Sequence, residues 1–342
     1  MRLRNCIGSL LLTLMLCSCN SWLDVDLINQ SEESDLFSTE RGFSEALAGV
    51  YCDIAASNMY GQTLSFGMLD IMSRIYDYSQ IPNKMKIFRD YDYENKDMKS
   101  YIYLLWSSFY ANIAALNNIL EWSEKNASVL SDERRNQVRG EALALRGLLH
   151  FDIYRLFATD VKLDPTARVL PYQTKFGVKT SPVYSTMDYL NLVIGDLEDA
   201  VKYLENDPIK EVKPYQLGNG DDENKDGADL YVARMNYYAT KALLARVYLS
   251  MGGDKIKDAR RLAEEVIDCG KFALVDYERS LNTDEANKDL LFSDEHIFSL
   301  RGQNVKTDAE GVHKQITGTD GNVQMASGYQ SILYLGDLED YR

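Results

Sequence analysis

Apolar residues recur at helical spacing along most of this chain. After Ser38 and Thr39, which are good N-terminal caps, apolar side chains fall at i, i+4, i+7 and i+11. They are Phe43, Leu47, Val50 and Ile54. Because this spacing places them on one face, it predicts an amphipathic helix that begins after Thr39.

Similar stripes predict further helices, separated by stretches without periodicity. We expect them over residues 99–123, 132–157, 185–204, 232–251 and 256–269. Residues 57–98 lose the pattern and are predicted to form a long, tyrosine-rich loop, and residues 206–230 a polar, glycine-rich one. Gly252 and Gly253 separate the last two helices, and Gly270 is placed to end the second.

The last two predicted helices have the spacing of a tetratricopeptide hairpin. Small and aromatic residues stand at Ala245, Tyr248, Gly252, Ala259 and Ala263, which resembles that repeat with two extra residues at the turn. We therefore predict a mostly α fold over residues 38–290, built from tetratricopeptide-like helical hairpin repeats with long inserted loops and few short strands. One short β-like run is expected at 295–300.

The N-terminus has the pattern of an export signal. Two arginines precede an apolar run that is too short to span a bilayer, and small residues follow it. Leu16-Cys17-Ser18-Cys19 resembles the bacterial lipobox, so residues 1–18 are predicted to be a lipoprotein signal peptide and Cys19 the lipidated residue. An ordinary cleaved signal, or lipidation at Cys17, remains as an alternative. Residues 19–37 are acidic and suit a tether.

Composition limits the classes of partner. The formal net charge is −15, and removal of Arg2 and Arg4 with the signal would make it −17, so nucleic acid is disfavoured as a ligand. Cys52 and Cys269 are expected to be two buried thiols, although a disulfide between them is possible in an exported protein. The chain has 23 tyrosines against 11 phenylalanines, a surplus that suits either a partly polar ligand or the seams between helices.

Few motifs for chemistry are present. No nucleophile elbow, phosphate loop or His-Glu-x-x-His pair occurs, and the three histidines lack metal-ligand spacing, so we do not expect an enzyme. Asp222, Asn224 and Asp226, followed by Gly227, match the first half of a calcium loop. Ala233 stands where such a loop needs its bidentate glutamate. A solvated acidic loop is therefore favoured over a Ca²⁺ site, and no other cofactor is expected.

Several segments, in order, resemble the SusD/RagB family of outer-membrane lipoproteins. The resemblance rests on Trp22-Leu23-Asp24, on 106–117, on 139–157, on Leu197-Glu198-Asp199-Ala200 and on 242–249. It implies a non-catalytic, lipid-anchored protein of the cell outer membrane that binds glycans and delivers them to a TonB-dependent, SusC-like transporter. Ala158 and Lys162 depart from the family pattern. Asp340-Tyr341-Arg342 resembles a segment that a further region normally follows, so residues 291–342 are interpreted as the start of a C-terminal region that is cut short.

The predicted ligand site lies in the tyrosine-rich loop. Sugar sites combine aromatic faces with arginines and carboxylates, and the loop offers Arg74, Tyr76, Asp77, Tyr78, Tyr91 and Tyr93. Simple packing of these tyrosines against the helices is an equal alternative. Two other functions stay open: a peptide-binding lipoprotein of the same architecture, and a tetratricopeptide-type adaptor for another protein.

Overall fold

The protein is mostly helical, as the sequence predicts. A computed structural model describes residues 33–74, 83–179, 181–211, 232–274, 292 and 295–317. The helices of these ranges, in chain order, are α1 (Glu40–Ile54), α2 (Met68–Ser73), α3 (Asn83–Arg89), α4 (Lys96–Lys125), α5 (Asp132–Phe157), α6 (Thr186–Tyr203), α7 (Tyr237–Met251), α8 (Lys255–Asp268) and α9 (Val305–Thr317). Strands β1 (Arg168–Pro171) and β2 (Val183–Ser185) pair antiparallel between α5 and α6.

The long helices begin at polar caps that the sequence makes recognisable. The Thr39 hydroxyl accepts the backbone N–H of Gly42 at the start of α1, and Ser131 accepts that of Arg134 at the start of α5. Ser185 and Asn236 do the same for α6 and α7. Because each cap satisfies an N–H that the first helical turn leaves without a partner, these polar residues fix where the helices begin.

Helix α5 lies at the centre of the core. Every residue from Gly140 to Tyr154 is buried, since α5 packs against α4 on one side and α6 on another. Its glycines allow the close approach of α6: a Cβ on Gly147 would stand 2.7 Å from Leu197 Cδ2, and one on Gly140 would stand 2.5 Å from Leu204 Cγ. Helix α7 packs on both α6 and α8. Neighbouring helices in sequence are thus neighbours in space, as a helical repeat requires.

The α7–α8 pair confirms the predicted helical hairpin, but one residue predicted to lie in the α8 contact is exposed. Ala245, Tyr248 and Ala259 are buried, and Gly252 at the turn has a φ of 72°. Ala263 is exposed and Leu262 takes the buried place, so the small-residue pattern was wrong at that position. Within the described ranges, the buried residues of α8 are Ala259, Leu262 and Val266, which lie on one side of the helix.

Several local predictions were wrong. The 57–98 stretch is not a continuous loop, because it contains α2 and α3; α7 begins at Tyr237 rather than at 232; and residues 295–300 form no strand. The described strands lie instead at Arg168–Pro171 and Val183–Ser185, and the first ends in Pro171, which is tolerated in an edge strand. Leu249 and Ile267 are exposed although both are apolar. Cys52 is also exposed, and both it and Cys269 are free thiols.

The segment 295–317 packs against the helical body. The Asn236 side chain donates to the Ile297 carbonyl at 2.8 Å, and the Ser299 N–H donates to the Val232 carbonyl at 2.8 Å. Val312 of α9 is buried, and the Ser57 hydroxyl bonds to Asp308. This segment therefore contributes walls to the cavities beside α1 and α5.

Candidate functional site

A large pocket lies between α5, α7 and the chain that follows α1. Its volume is about 670 Å³, within the range of small-molecule sites. The apolar part of the wall comes from four leucines at 64, 69, 148 and 156, together with Phe298 and Leu300. The polar part comes from Tyr60, Asp152, Arg155 and Arg246. A pocket of this kind offers a hydrophobic surface on one side and hydrogen-bonding groups on the other.

A tight turn after α1 places Tyr60 in this wall. The Tyr60 N–H donates to the Ile54 carbonyl at 3.0 Å, and that of Gly61 to Ala56 at 3.1 Å. A Cβ on Gly61 would stand 2.3 Å from the Ala55 carbonyl oxygen, so only glycine fits here. The chain therefore folds back sharply and points the tyrosine hydroxyl at α5.

The polar groups of the pocket are arranged around Asp152. Tyr60 donates its hydroxyl to Asp152 Oδ2 at 2.5 Å, and Arg155 Nη1 donates to Oδ1 at 2.9 Å. Burial of the hydroxyl raises the pKa of Tyr60 well above its usual value, and the nearby Asp152 carboxylate acts in the same direction. Tyr60 thus stays a neutral donor, and both carboxylate oxygens of Asp152 have partners. The side chain of Arg246 is exposed at the same wall.

A second, smaller pocket of about 460 Å³ lies between α1 and α5, beside a buried ion network. Arg234 bonds to Asp207 at 2.5 Å and to Glu141 at 3.2 Å, and Glu141 accepts the Tyr51 hydroxyl at 3.0 Å. Burial raises the pKa of Glu141. Asp207 also accepts the N–H of Tyr237 at the start of α7. These bonds tie α1, α5 and α7 together, which is a structural role.

The structure brings Arg74 and Tyr91 of the predicted ligand site together. The Arg74 guanidinium lies 4.8 Å from the centre of the Tyr91 ring and donates to the Arg89 carbonyl at 2.7 Å. Tyr91 donates its hydroxyl to the Met72 carbonyl. Tyr93 is about half-exposed two residues further on. Arg74 and Tyr91 therefore hold α2 against α3, and Tyr93 presents the more accessible ring.

The remaining predicted site residues lie outside the described ranges. They are Cys19, Tyr76, Asp77, Tyr78, Asp222, Asn224 and Asp226. Within the described ranges, no group of histidine, cysteine and carboxylate side chains could hold a metal ion. Within the same part of the chain, no helix is long and apolar enough to cross a membrane.

Sequence reasoning missed the pocket residues Tyr60, Asp152, Arg155 and Arg246. One signal was available: Asp152 and Arg155 stand at i and i+3 on a helix whose neighbouring positions are apolar. Such charges in an apolar stretch indicate a paired or functional role. His150 of α5 is fully buried, and the half-buried Trp106 packs on Phe157 at 5.2 Å.

A family model described as "Starch-binding associating with outer membrane", SusD-like, matches residues 21–216. The chain belongs to the SusD-like family. The match covers α1 to α6, so it includes the central helix, Tyr60 and Asp152. No curated protein matches this SusD-like chain.

Solved structures share the SusD-like fold. A SusD superfamily protein from Bacteroides fragilis has 20% identity and a TM-score of 0.56, over 78% of this chain and 56% of its own. A SusD homolog from Bacteroides thetaiotaomicron has 20% identity and a TM-score of 0.52, over 72% and 43%. A SusD-like carbohydrate binding protein from Bacteroides vulgatus has 18% identity and a TM-score of 0.52, over 71% and 47%. The chain thus spans about half the length of these relatives.

Proposed function

We propose that this protein is a non-catalytic glycan-binding lipoprotein of the outer membrane. It captures oligosaccharides and delivers them to a TonB-dependent, SusC-like transporter. The observation that carries the proposal is the family match over residues 21–216, a family described as starch-binding and associated with the outer membrane. The carbohydrate binding named for the Bacteroides vulgatus relative agrees with it.

The exposed tyrosines near α2 and α3 support a surface that binds sugar. Tyr93 is 50% exposed, and on α4 Tyr101 and Tyr103 are 46% and 74% exposed. Tyr101 packs edge-on against buried Phe88 of α3 at 5.0 Å, which fixes its ring. Sugar rings stack on rigid aromatic faces because their C–H faces are apolar, while hydroxyls bond to nearby polar groups.

The composition of the large pocket supports binding without catalysis. Most glycosidases need two carboxyl groups on either side of the bond they cleave. Among the described residues that line this pocket, Asp152 is the one carboxylate, and Tyr60 and Arg155 already occupy both its oxygens. Such a carboxylate positions other groups and is poorly placed to act as an acid or a nucleophile.

The proposal includes a lipid anchor because residues 16–19 resemble a lipobox. Lipid on Cys19, followed by the acidic stretch to residue 37, would hold the body at the membrane surface. We expect labelled fatty acid to be incorporated into the wild type and lost in Cys19→Ala. Labelling that persisted in Cys19→Ala would move the anchor to Cys17.

Glycan binding is tested with purified full chain against a panel of oligosaccharides and a pool of peptides of similar mass. We expect binding to glycans, weakened about tenfold in Tyr93→Ala because a stacking face is lost. Phe176→Ala, an exposed aromatic in the β1–β2 connection, is the matched control and should bind as the wild type does. Binding of peptides and no glycan would contradict the proposal and favour the peptide-capturing alternative.

A further inference from the structure

Within the described ranges Arg246 forms no ion pair with a carboxylate, whereas most of the arginines there do. The chain has 52 acidic and 37 basic residues, so acidic partners are plentiful. Ten arginines in the described ranges form an ion pair, on exposed helices as well as in the core; Arg260 with Glu264 and Arg261 with Glu265 are two on the neighbouring α8. Arg246 forms none within this part of the chain.

The position of Arg246 on α7 aims it at the large pocket. Its neighbours Ala245 and Val247 are buried, whereas Arg246 is exposed and lines the pocket wall. The positive charge of Arg246 acts on the Tyr60 hydroxyl, as does that of Arg155. Two guanidinium groups therefore approach the same polar corner from two different helices.

Among the described residues that line this corner, positive charges outnumber negative ones. Arg155 and Arg246 contribute two positive charges, and Asp152 contributes one negative charge. One guanidinium nitrogen of Arg155 is used by Asp152, and its side chain is still 52% exposed. An excess positive charge beside an apolar wall attracts an anion, and the planar guanidinium matches a carboxylate in particular.

We propose that this pocket binds the carboxylate of an acidic oligosaccharide, with Arg246 as its principal ligand. The inference rests on the proposed glycan-binding function and names the class of sugar. The carboxylate pairs with Arg246 and the free edge of Arg155. The C–H face of the sugar ring lies against the leucines and Phe298 of the opposite wall. A volume of about 670 Å³ accommodates one or two sugar units.

The test compares each acidic sugar with its own neutral form. The probes are oligogalacturonides, alginate oligosaccharides and sialyllactose, each against its methyl ester, with purified full chain in a titration at low and at high salt. We expect at least one acid to bind about tenfold to a hundredfold more tightly than its ester, the range of a charged hydrogen bond. The preference should shrink as salt is raised.

Two charge-matched variants assign the effect to the pocket. Arg246→Gln should reduce the affinity for the acid to that for its ester. Arg260→Gln removes the same charge from exposed α8 and should retain the full preference. Circular dichroism spectra equal to that of the wild type show that both variants fold.

The outcomes separate this inference from the proposed function. If glycans bind but no acid is preferred over its ester, or the preference survives in Arg246→Gln, the acidic-sugar inference is wrong and glycan binding stands. If no glycan binds while acidic peptides bind through Arg246, both proposals are wrong.

Discussion

Acidification should destabilise this protein through His150. The ring is fully buried on α5, stacked on Tyr172 at 3.8 Å, and Nδ1 lies 2.7 Å from the Tyr189 hydroxyl. Nε2 lies 3.4 Å from the Gln173 carbonyl oxygen, which can only accept, so the neutral ring carries its proton on Nε2. Burial lowers the pKa of His150 from 6.5 to about 3, and the nearby Arg146 charge acts in the same direction.

The sign of the effect follows from proton uptake. Between pH 6.5 and about 3, unfolded His150 binds a proton and folded His150 does not. The free energy of unfolding is therefore not reduced by His150 above pH 6.5, and it falls by about 1.4 kcal/mol for each pH unit below that. From about pH 7.5 to about pH 5, some 1.5 units below the unfolded pKa, the loss is about 2 kcal/mol.

The assay is denaturant unfolding at both pH values, for the wild type and for His150→Gln. Glutamine can donate to the Gln173 carbonyl and accept from Tyr189 but does not titrate. The raised pKa of buried Glu141 stabilises the folded state as pH falls, and this contribution is common to both proteins and cancels in the comparison.

We expect the wild type to lose about 2 kcal/mol more than His150→Gln between the two pH values. The variant is expected to be less stable at neutral pH because it loses the stacking on Tyr172, and this does not affect the comparison of slopes. Parallel pH dependences would refute the reasoning, since His150 would then titrate alike in the folded and unfolded states.

Two further predictions concern packing and charge. Gly147→Ala should lower the free energy of unfolding by about 1–3 kcal/mol because the new Cβ meets Leu197. Gly195→Ala, in open space on α6, should raise it by up to about 1 kcal/mol. Equal effects of the two variants in denaturant melts would contradict the close approach of α5 and α6. Arg234→Met should lower the free energy of unfolding by about 3–5 kcal/mol because the carboxylates of Asp207 and Glu141 remain buried without their counter-charge. Arg260→Met on the surface should change it little. A small effect of Arg234→Met would mean that water reaches this network.

The longest helices could be predicted because their signals are local. The apolar stripe and the acidic first turn predicted α5 at 132–157, as observed, and Thr39 and Ser185 marked the starts of α1 and α6. The short helices α2 and α3 could not be predicted, because helices of six or seven residues are held by their contacts and not by their own propensity. The 295–300 run has β-like composition but finds no strand to pair with in the described ranges.

For the candidate ligand residues, too, the sequence predicted part of the outcome and the structure decided the rest. The tyrosine-rich composition indicated a sugar surface, and Tyr93 remains accessible enough for that role. Arg74 and Tyr91 looked equivalent to it in sequence, yet their side chains are engaged in holding α2 and α3 together. A sequence pattern gives the residue types, whereas the partners of each side chain depend on the neighbouring elements.

By itself the sequence determined the fold class, the main helices and the family, since caps, apolar periodicity and small residues act over a few neighbouring positions. Tertiary structure alone decided the pocket. Tyr60, Asp152 and Arg246 are separated by roughly ninety residues each in sequence, and Phe298 by some fifty more. They meet because α5 and α7 pack and the chain after α1 turns back at Gly61. Which charged side chains find partners depends only on that packing.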